Sequence, residues 1–157
     1  METTHPGKAG VGAEFVYEML PSFSVTGIFA RELLPSEYLA RMLLHNREFG
    51  DDVRLEGYLD TSEPSLVISQ PDIEGTPASA DQMSEQLGKF GFQPLGNLRI
   101  GKNNSISFYD PQRRIAMFDA HPGNFFHTKT LTIPVDGIIE QIAAEAEHQW
   151  LLKHIID

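Results

Sequence analysis

In the stretch FDAHPGNFFHTKTLTIPVDG, residues 118–137, two aspartates, an asparagine and two histidines stand between short apolar runs. Asn124 follows Asp119 by five residues, and Asp136 follows Asn124 by twelve. Transfer of a phosphoryl group to a hydroxyl needs a carboxylate to orient the acceptor and oxygen ligands to hold magnesium on the phosphates. The three residues meet the spacings of such a site, with Asp119 facing the acceptor and Asn124 and Asp136 as metal ligands. Pro122 and Gly123 supply a turn that lets Asn124 face back toward Asp119. Carboxylate, amide and phosphate oxygens are the ligands Mg²⁺ prefers.

Other chemistries fit the same residues. Asp and Asn are common where strands end, so all three could be turn and cap residues. His121 and His127, with Asp119, could form the zinc or iron site of a metal-dependent hydrolase, because imidazole and carboxylate suit those ions. No further ligand stands at an obvious spacing, and His121 also reads as a residue that braces the loop.

The elements that must hold these residues are legible from periodicity. Pro35 suits the first turn of a helix, and Tyr38, Leu39, Met42, Leu43 and Asn46 fall at helical spacing, which predicts a helix over 35–48 stopped by Gly50. VRLEGYLD and SLVISQP, joined by Thr-Ser-Glu-Pro, predict an antiparallel hairpin. IEGTPAS reads as loop. Ser79 and Gln82 have capping-box spacing and open a second helix that runs to about Phe90 and ends at Gly91. AEFVYEML and FSVTGIF read as short strands, and from 95 to 135 the chain alternates strands with turns, SISFYD, RIAMFD and LTIPVD being the clearest. A long amphipathic helix is expected from Gly137 to Ile155, with Glu140, Glu145, Glu147 and Lys153 on its solvated face and Trp150 and Leu151 packed in the core or against a partner. Residues 1–12, rich in Gly, Thr and Pro, read as flexible loop.

Composition narrows the function classes. A chain of 157 residues is expected to form one domain with a real core. A net charge of −10 with only 12 Lys and Arg argues against a nonspecific nucleic-acid binder, since phosphate contacts need clustered basic residues. An acidic chain can still bind a nucleotide through a divalent cation. There are no cysteines, which removes disulfides, thiolate metal sites and cysteine nucleophiles. No apolar run approaches the roughly 20 residues that span a bilayer, and METTHPGKAGVG lacks the apolar core of a signal peptide, so no membrane partner and a cytoplasmic location are the expectations.

FDAHPGN followed by TIPVD resembles the catalytic and metal-binding segments of kinase-like phosphotransferases of the aminoglycoside-phosphotransferase type. Taken with PSEYLARMLLHNREFGDDVRLEGYLD and LVISQPDIEG, it is similar to the serine/threonine kinase-like domains of bacterial polyvalent proteins, over about residues 34–140. The resemblance implies an α+β, protein-kinase-like fold, mainly the large lobe (76–157) with a reduced small lobe and hinge (13–75). It implies Asp119 as catalytic aspartate, Asn124 and Asp136 as metal ligands, and Mg²⁺ and ATP as cofactors. Glu37 becomes the ion-pair carboxylate of the small-lobe helix, and the backbone of Ser69, Gln70, Pro71 and Asp72 the hinge that meets an adenine edge.

The chain departs from that pattern at the phosphates. Such proteins hold them with a lysine on a strand before the small-lobe helix, and here the only lysine before residue 89 is Lys8, in the stretch GKAGVG. That stretch is neither a kinase Gly-rich loop nor a P-loop. Three functions follow as expectations: a degenerate, noncatalytic kinase-like protein with a remnant Mg-nucleotide site, an active ATP-dependent phosphotransferase on a hydroxyl acceptor, or the His/Asp metal hydrolase. The missing lysine favours the first. A shortened small-lobe sheet would also leave an exposed edge, to be covered by residues 13–30, by a protein partner or by a second copy of the chain.

Overall fold

A computed structural model of the chain describes residues 2–3, 10–19, 23–62 and 64–156. In chain order its elements are β1 (Glu2–Thr3), β2 (Val11–Glu18), β3 (Ser24–Glu32), α1 (Pro35–Phe49), β4 (Arg54–Leu59), β5 (Ser65–Ser69), β6 (Thr76–Pro77), α2 (Ala80–Lys89), β7 (Gln93–Leu95), β8 (Ile106–Asp110), β9 (Ile115–Ala120), β10 (Phe125–His127), β11 (Thr132–Pro134), β12 (Ile138–Gln141) and α3 (Glu145–Leu152). The class is α+β, with small antiparallel sheets and three helices among the described residues. The chain divides into two compact units: Met1–Gly12 with Arg31–Ile73, and Ala13–Ala30 with Glu74–Asp157.

In the first unit α1 begins where Pro35 presets the backbone and Glu37 accepts a hydrogen bond from the Leu34 N–H at 2.8 Å. It ends at Gly50, whose φ of 67° is the left-handed cap that glycine adopts freely. Its inner stripe is Tyr38, Arg41 and His45, and Tyr38 joins Leu33, Val53, Leu66 and Ile68 in a small core. Leu43, expected on that stripe, points outward and is 70% exposed, because at about 100° per residue it lies roughly 140° round the helix from Tyr38 and about 160° from His45. Asn46 pins the helix end to the next strand, its amide donating to Val53 O at 2.8 Å and its oxygen accepting from Val53 N–H at 3.0 Å. β4 and β5 form the expected hairpin, with Arg54 opposite Ser69 and a bulge between Leu55 and Gly57. β1 pairs with β5 on its other side, so Glu2–Thr3 is strand rather than loop.

The second unit is built on a four-stranded antiparallel sheet in the order β12-β9-β8-β7. Its core gathers Leu95, Tyr109, Ala116, Phe118, Ile138, Ile142 and Leu151. Truncating a residue buried this deeply, such as Leu151, to alanine costs about 2–5 kcal/mol. α2 opens on the Ser79–Gln82 capping box, the Ser79 oxygen accepting from Gln82 N–H at 3.2 Å and the Gln82 oxygen from Ser79 N–H at 2.9 Å. The stretch expected to be loop contains β6, which adds to β10 in a second sheet of order β11-β10-β6.

The single helix expected over 137–155 is instead a strand followed by a shorter helix. Ile138 and Ile139 pair with Phe118 and Met117 on β9, and Gly137, at φ 146°, precedes them in a conformation no helix contains. The isoleucines at 138, 139 and 142 imitate a helical stripe, but their branched β-carbons suit the buried edge of a sheet better. Glu140 therefore lies on β12, not on a solvated helix face. Its carboxylate accepts from Ala13 N–H at 3.3 Å, while Tyr17 donates its hydroxyl to Glu147 and the Phe15 ring meets Trp150 edge-on at 6.0 Å. Ala13–Ala30, expected to cover a small-lobe edge, thus pack with the second unit.

Candidate functional site

Asp119 stands at an irregularity in the sheet. Ile106 on β8 faces Ala120 and Phe108 faces Met117, so Phe118 and Asp119 together oppose Ser107 alone: a β-bulge. Asp119 takes φ 58°, a left-handed conformation that costs a non-glycine residue about 1–2 kcal/mol. Bulges and strained residues of this kind collect beside functional sites, where they aim a side chain. The Asp119 carboxylate accepts the Lys102 N–H on Oδ1 at 2.8 Å and the Asn124 amide on Oδ2 at 3.2 Å. His121 Nε2 lies 3.8 Å from Oδ2, and the carboxylate keeps 21% of its side chain exposed.

The turn after β9 brings Asn124 onto Asp119. Asn124 N–H donates to His121 O at 2.8 Å and Gly123 N–H to His121 Nδ1 at 3.0 Å, so His121 receives both donors of the turn. With Nδ1 an acceptor, its proton sits on Nε2, on the Asp119 side. Asn124 Nδ2 donates to the Asp119 carbonyl at 2.9 Å as well as to the carboxylate. Both partners are acceptors, which fixes the amide with nitrogen toward Asp119 and leaves Oδ1 for another ligand.

Asp136 reaches this turn through the main chain. The β10–β11 pairing runs Phe125 opposite Pro134, Phe126 opposite Ile133 and His127 opposite Thr132, and the Asn124 carbonyl then accepts from Val135 N–H at 2.9 Å and Asp136 N–H at 3.4 Å. The Asp136 side chain is exposed, and its Oδ1 accepts from Gly137 N–H at 2.7 Å. Asp119 and Asn124 are therefore in direct side-chain contact, and Asp136 is joined to Asn124 by the backbone alone. Among the described residues no group of three His, Asp or Glu side chains gathers to hold a metal. A cation here would draw on Asn124 Oδ1, the Asp136 carboxylate and oxygens of its own ligand.

Two residues of the segment before β8, absent from the sequence-based site, belong to this cluster. Gly101 has φ 98°, and a β-carbon on it would fall 2.1 Å from Asp119 Oδ1. Lys102 follows, with its N–H on that same oxygen. A β-carbon on Gly123 would fall 4.0 Å from Lys102 Nζ, so the ammonium lies beside the turn between His121 and Asn124. The signal was present in the tetrapeptide Gly-Lys-Asn-Asn, a turn sequence placed directly before a strand.

The remaining expected residues lie in the first unit. Glu37 forms its ion pair with Arg31, at 2.5 and 2.9 Å, rather than with a lysine, while also capping α1. The Arg31 hydrogen bonds, with help from the Leu34 N–H, hold its carboxyl down at about 2. Ser69 ends β5 in register with Arg54 and donates its hydroxyl to Glu56. Gln70 lies 3.5 Å from Asp51 through its amide, and Pro71 and Asp72 are exposed in a segment without regular structure. Lys8 lies outside the described residues.

The two histidines are committed to local bonds: His121 Nδ1 to Gly123, and His127 Nδ1 to Thr132 Oγ1 at 3.0 Å. The Arg113–Arg114 pair is likewise engaged, Arg113 with Asp110 at 2.6 Å and Arg114 with Glu145 at 2.7 Å. No helix of the described residues is long and apolar enough to cross a membrane. Compared with family models, curated proteins and solved structures, the chain matches none.

Proposed function

We propose that the second unit carries the metal–phosphate part of a kinase-like phosphotransfer site, and that in this chain the site binds a magnesium nucleotide, with phosphotransfer absent or very slow. One observation carries the reading: the Asn124 amide is turned onto the carbonyl and carboxylate of Asp119, which presents Asn124 Oδ1 beside the residue proposed to face the acceptor. Asp136, on the backbone partner of Asn124, supplies the charged ligand. Catalysis by such a site rests on positioning and charge stabilisation, and among the described residues no strand before α1 carries a lysine, which is costly to turnover. Binding tolerates that loss better than chemistry does, because a weak ground-state contact is enough for it.

Thermal unfolding with and without MgATP tests the proposal. Nucleotide at ten times its dissociation constant stabilises by about 1.4 kcal/mol, or about 3–6 °C for a chain of this size. Asp136→Ala should abolish the magnesium-dependent part, and Asp119→Ala should leave it mostly intact. Robust ATP turnover that survives Asp119→Ala would show that these residues do other chemistry.

A further inference from the structure

We infer that Lys102 is the phosphate-binding cation of this site, reached from the segment between β7 and β8 rather than from a strand before α1. The inference rests on the phosphotransfer reading above and names the group that would meet the polyphosphate. Lys102 is anchored at its backbone, where its N–H donates to Asp119 Oδ1 at 2.8 Å. Gly101, at φ 98° and in close approach to the same carboxylate, sets the path of the chain into that bond. From this anchor the side chain runs to the turn at Gly123, where a β-carbon would come within 4.0 Å of Nζ. The same β-carbon would fall 2.8 Å from His121 Cε1, so glycine keeps the space beside the ammonium open.

Charge makes the position informative. The chain carries −10 overall, and most described cations near acidic groups are spent on them: Arg113 on Asp110, Arg114 on Glu145, Lys89 on Glu85. Lys102 spends only its backbone N–H on Asp119, and its ammonium makes no hydrogen bond or ion pair among the described residues. A lysine is a compact, strongly hydrated point charge, and one left unpaired beside a proposed magnesium site is poised for an anion. Asn124 Oδ1 and Asp136 would face the cation of a magnesium polyphosphate, and Lys102 Nζ its non-bridging oxygens. The ligand class is therefore a polyphosphate chain, of a nucleoside di- or triphosphate or of inorganic tripolyphosphate.

Calorimetric titration of the full chain separates the two layers. Tripolyphosphate without magnesium should bind, and Lys102→Gln should weaken it about tenfold, the scale of one charged hydrogen bond. Lys102→Arg should recover most of the loss. Lys129→Gln, an exposed lysine elsewhere in the same unit, should have no effect. The inference is overturned if the wild-type chain does not bind tripolyphosphate, if Lys102→Gln binds it normally, or if Lys129→Gln weakens it equally. A loss of MgATP binding in Asp136→Ala with none in Lys102→Gln would sink the lysine assignment and keep the magnesium site. Lys102-dependent binding that gains nothing from magnesium and ignores Asp136→Ala would do the reverse.

Discussion

The Asn124 side-chain amide donates to both the carbonyl and the carboxylate of Asp119, at 2.9 and 3.2 Å. This double contact orders the turn and decides which end of the amide is free. Asn124→Asp would set a carboxylate against two acceptors at a buried position. We expect a loss of about 1–3 kcal/mol at neutral pH, the cost of leaving buried polar groups unsatisfied and like charges in contact. Urea unfolding of the variant and the wild type at neutral pH measures this.

Gly101→Ala should act on Asp119 from the other side. Its β-carbon would fall 2.1 Å from Oδ1, at a φ of 98° that alanine tolerates poorly. The 101–102 backbone and the carboxylate must move apart, so the variant should lose about 1–3 kcal/mol and, because Lys102 is displaced with that backbone, part of its MgATP stabilisation. Wild-type nucleotide stabilisation in a merely destabilised variant would separate Gly101 from the site.

The parts of this arrangement that were legible in the sequence are local ones. Pro35 and Gly50 bounded α1, Ser79 and Gln82 opened α2, and the five-residue spacing with Pro122 and Gly123 anticipated the contact of Asn124 with Asp119. What escaped depends on distant partners. Ile138, Ile139 and Ile142 have a helix's spacing until β9 is there to pair with them, and nothing near Phe15 or Tyr17 announces Trp150 or Glu147. Lys102 is hidden in the sequence for a related reason: it precedes Asp119 by 17 residues, and only the bulge in β9 turns the Asp119 carboxylate onto its N–H.

Glu37 gives the first unit a definite acid response. Its carboxyl is held down at about 2, first by Arg31, so the ionised form is favoured in the folded chain. A depressed carboxyl contributes stability that is present above its ordinary value of 4.5 and lost as pH falls through about 2. Melting temperatures of Glu37→Gln and the wild type should differ at pH 6 and converge near pH 2. The pair is solvent-accessible, so 0.5 M salt should narrow the difference at pH 6.

Tyr17 and Tyr109 should both titrate late. Burial comes first in pushing each up to about 12, and Glu147 adds to it at Tyr17. A raised phenol favours the protonated folded state, so its contribution is present below pH 10 and lost as pH rises toward 12. Absorbance at 295 nm should show part of the tyrosine signal delayed beyond pH 11, and Tyr17→Phe should remove some of it. A single transition near 10 would mean that neither phenol is held as described.

Nuclear magnetic resonance with substoichiometric Mn²⁺ and ADP tests the magnesium site most directly. Paramagnetic broadening should fall first on the Asn124 side-chain amide and on the backbone N–H groups of Asp136 and Gly137, and Asp136→Ala should abolish it. Lys102 N–H, bonded to the Asp119 carboxylate, should broaden with them. Broadening that spreads over the acidic surface without selecting this turn, or that persists unchanged in Asp136→Ala, would contradict the site.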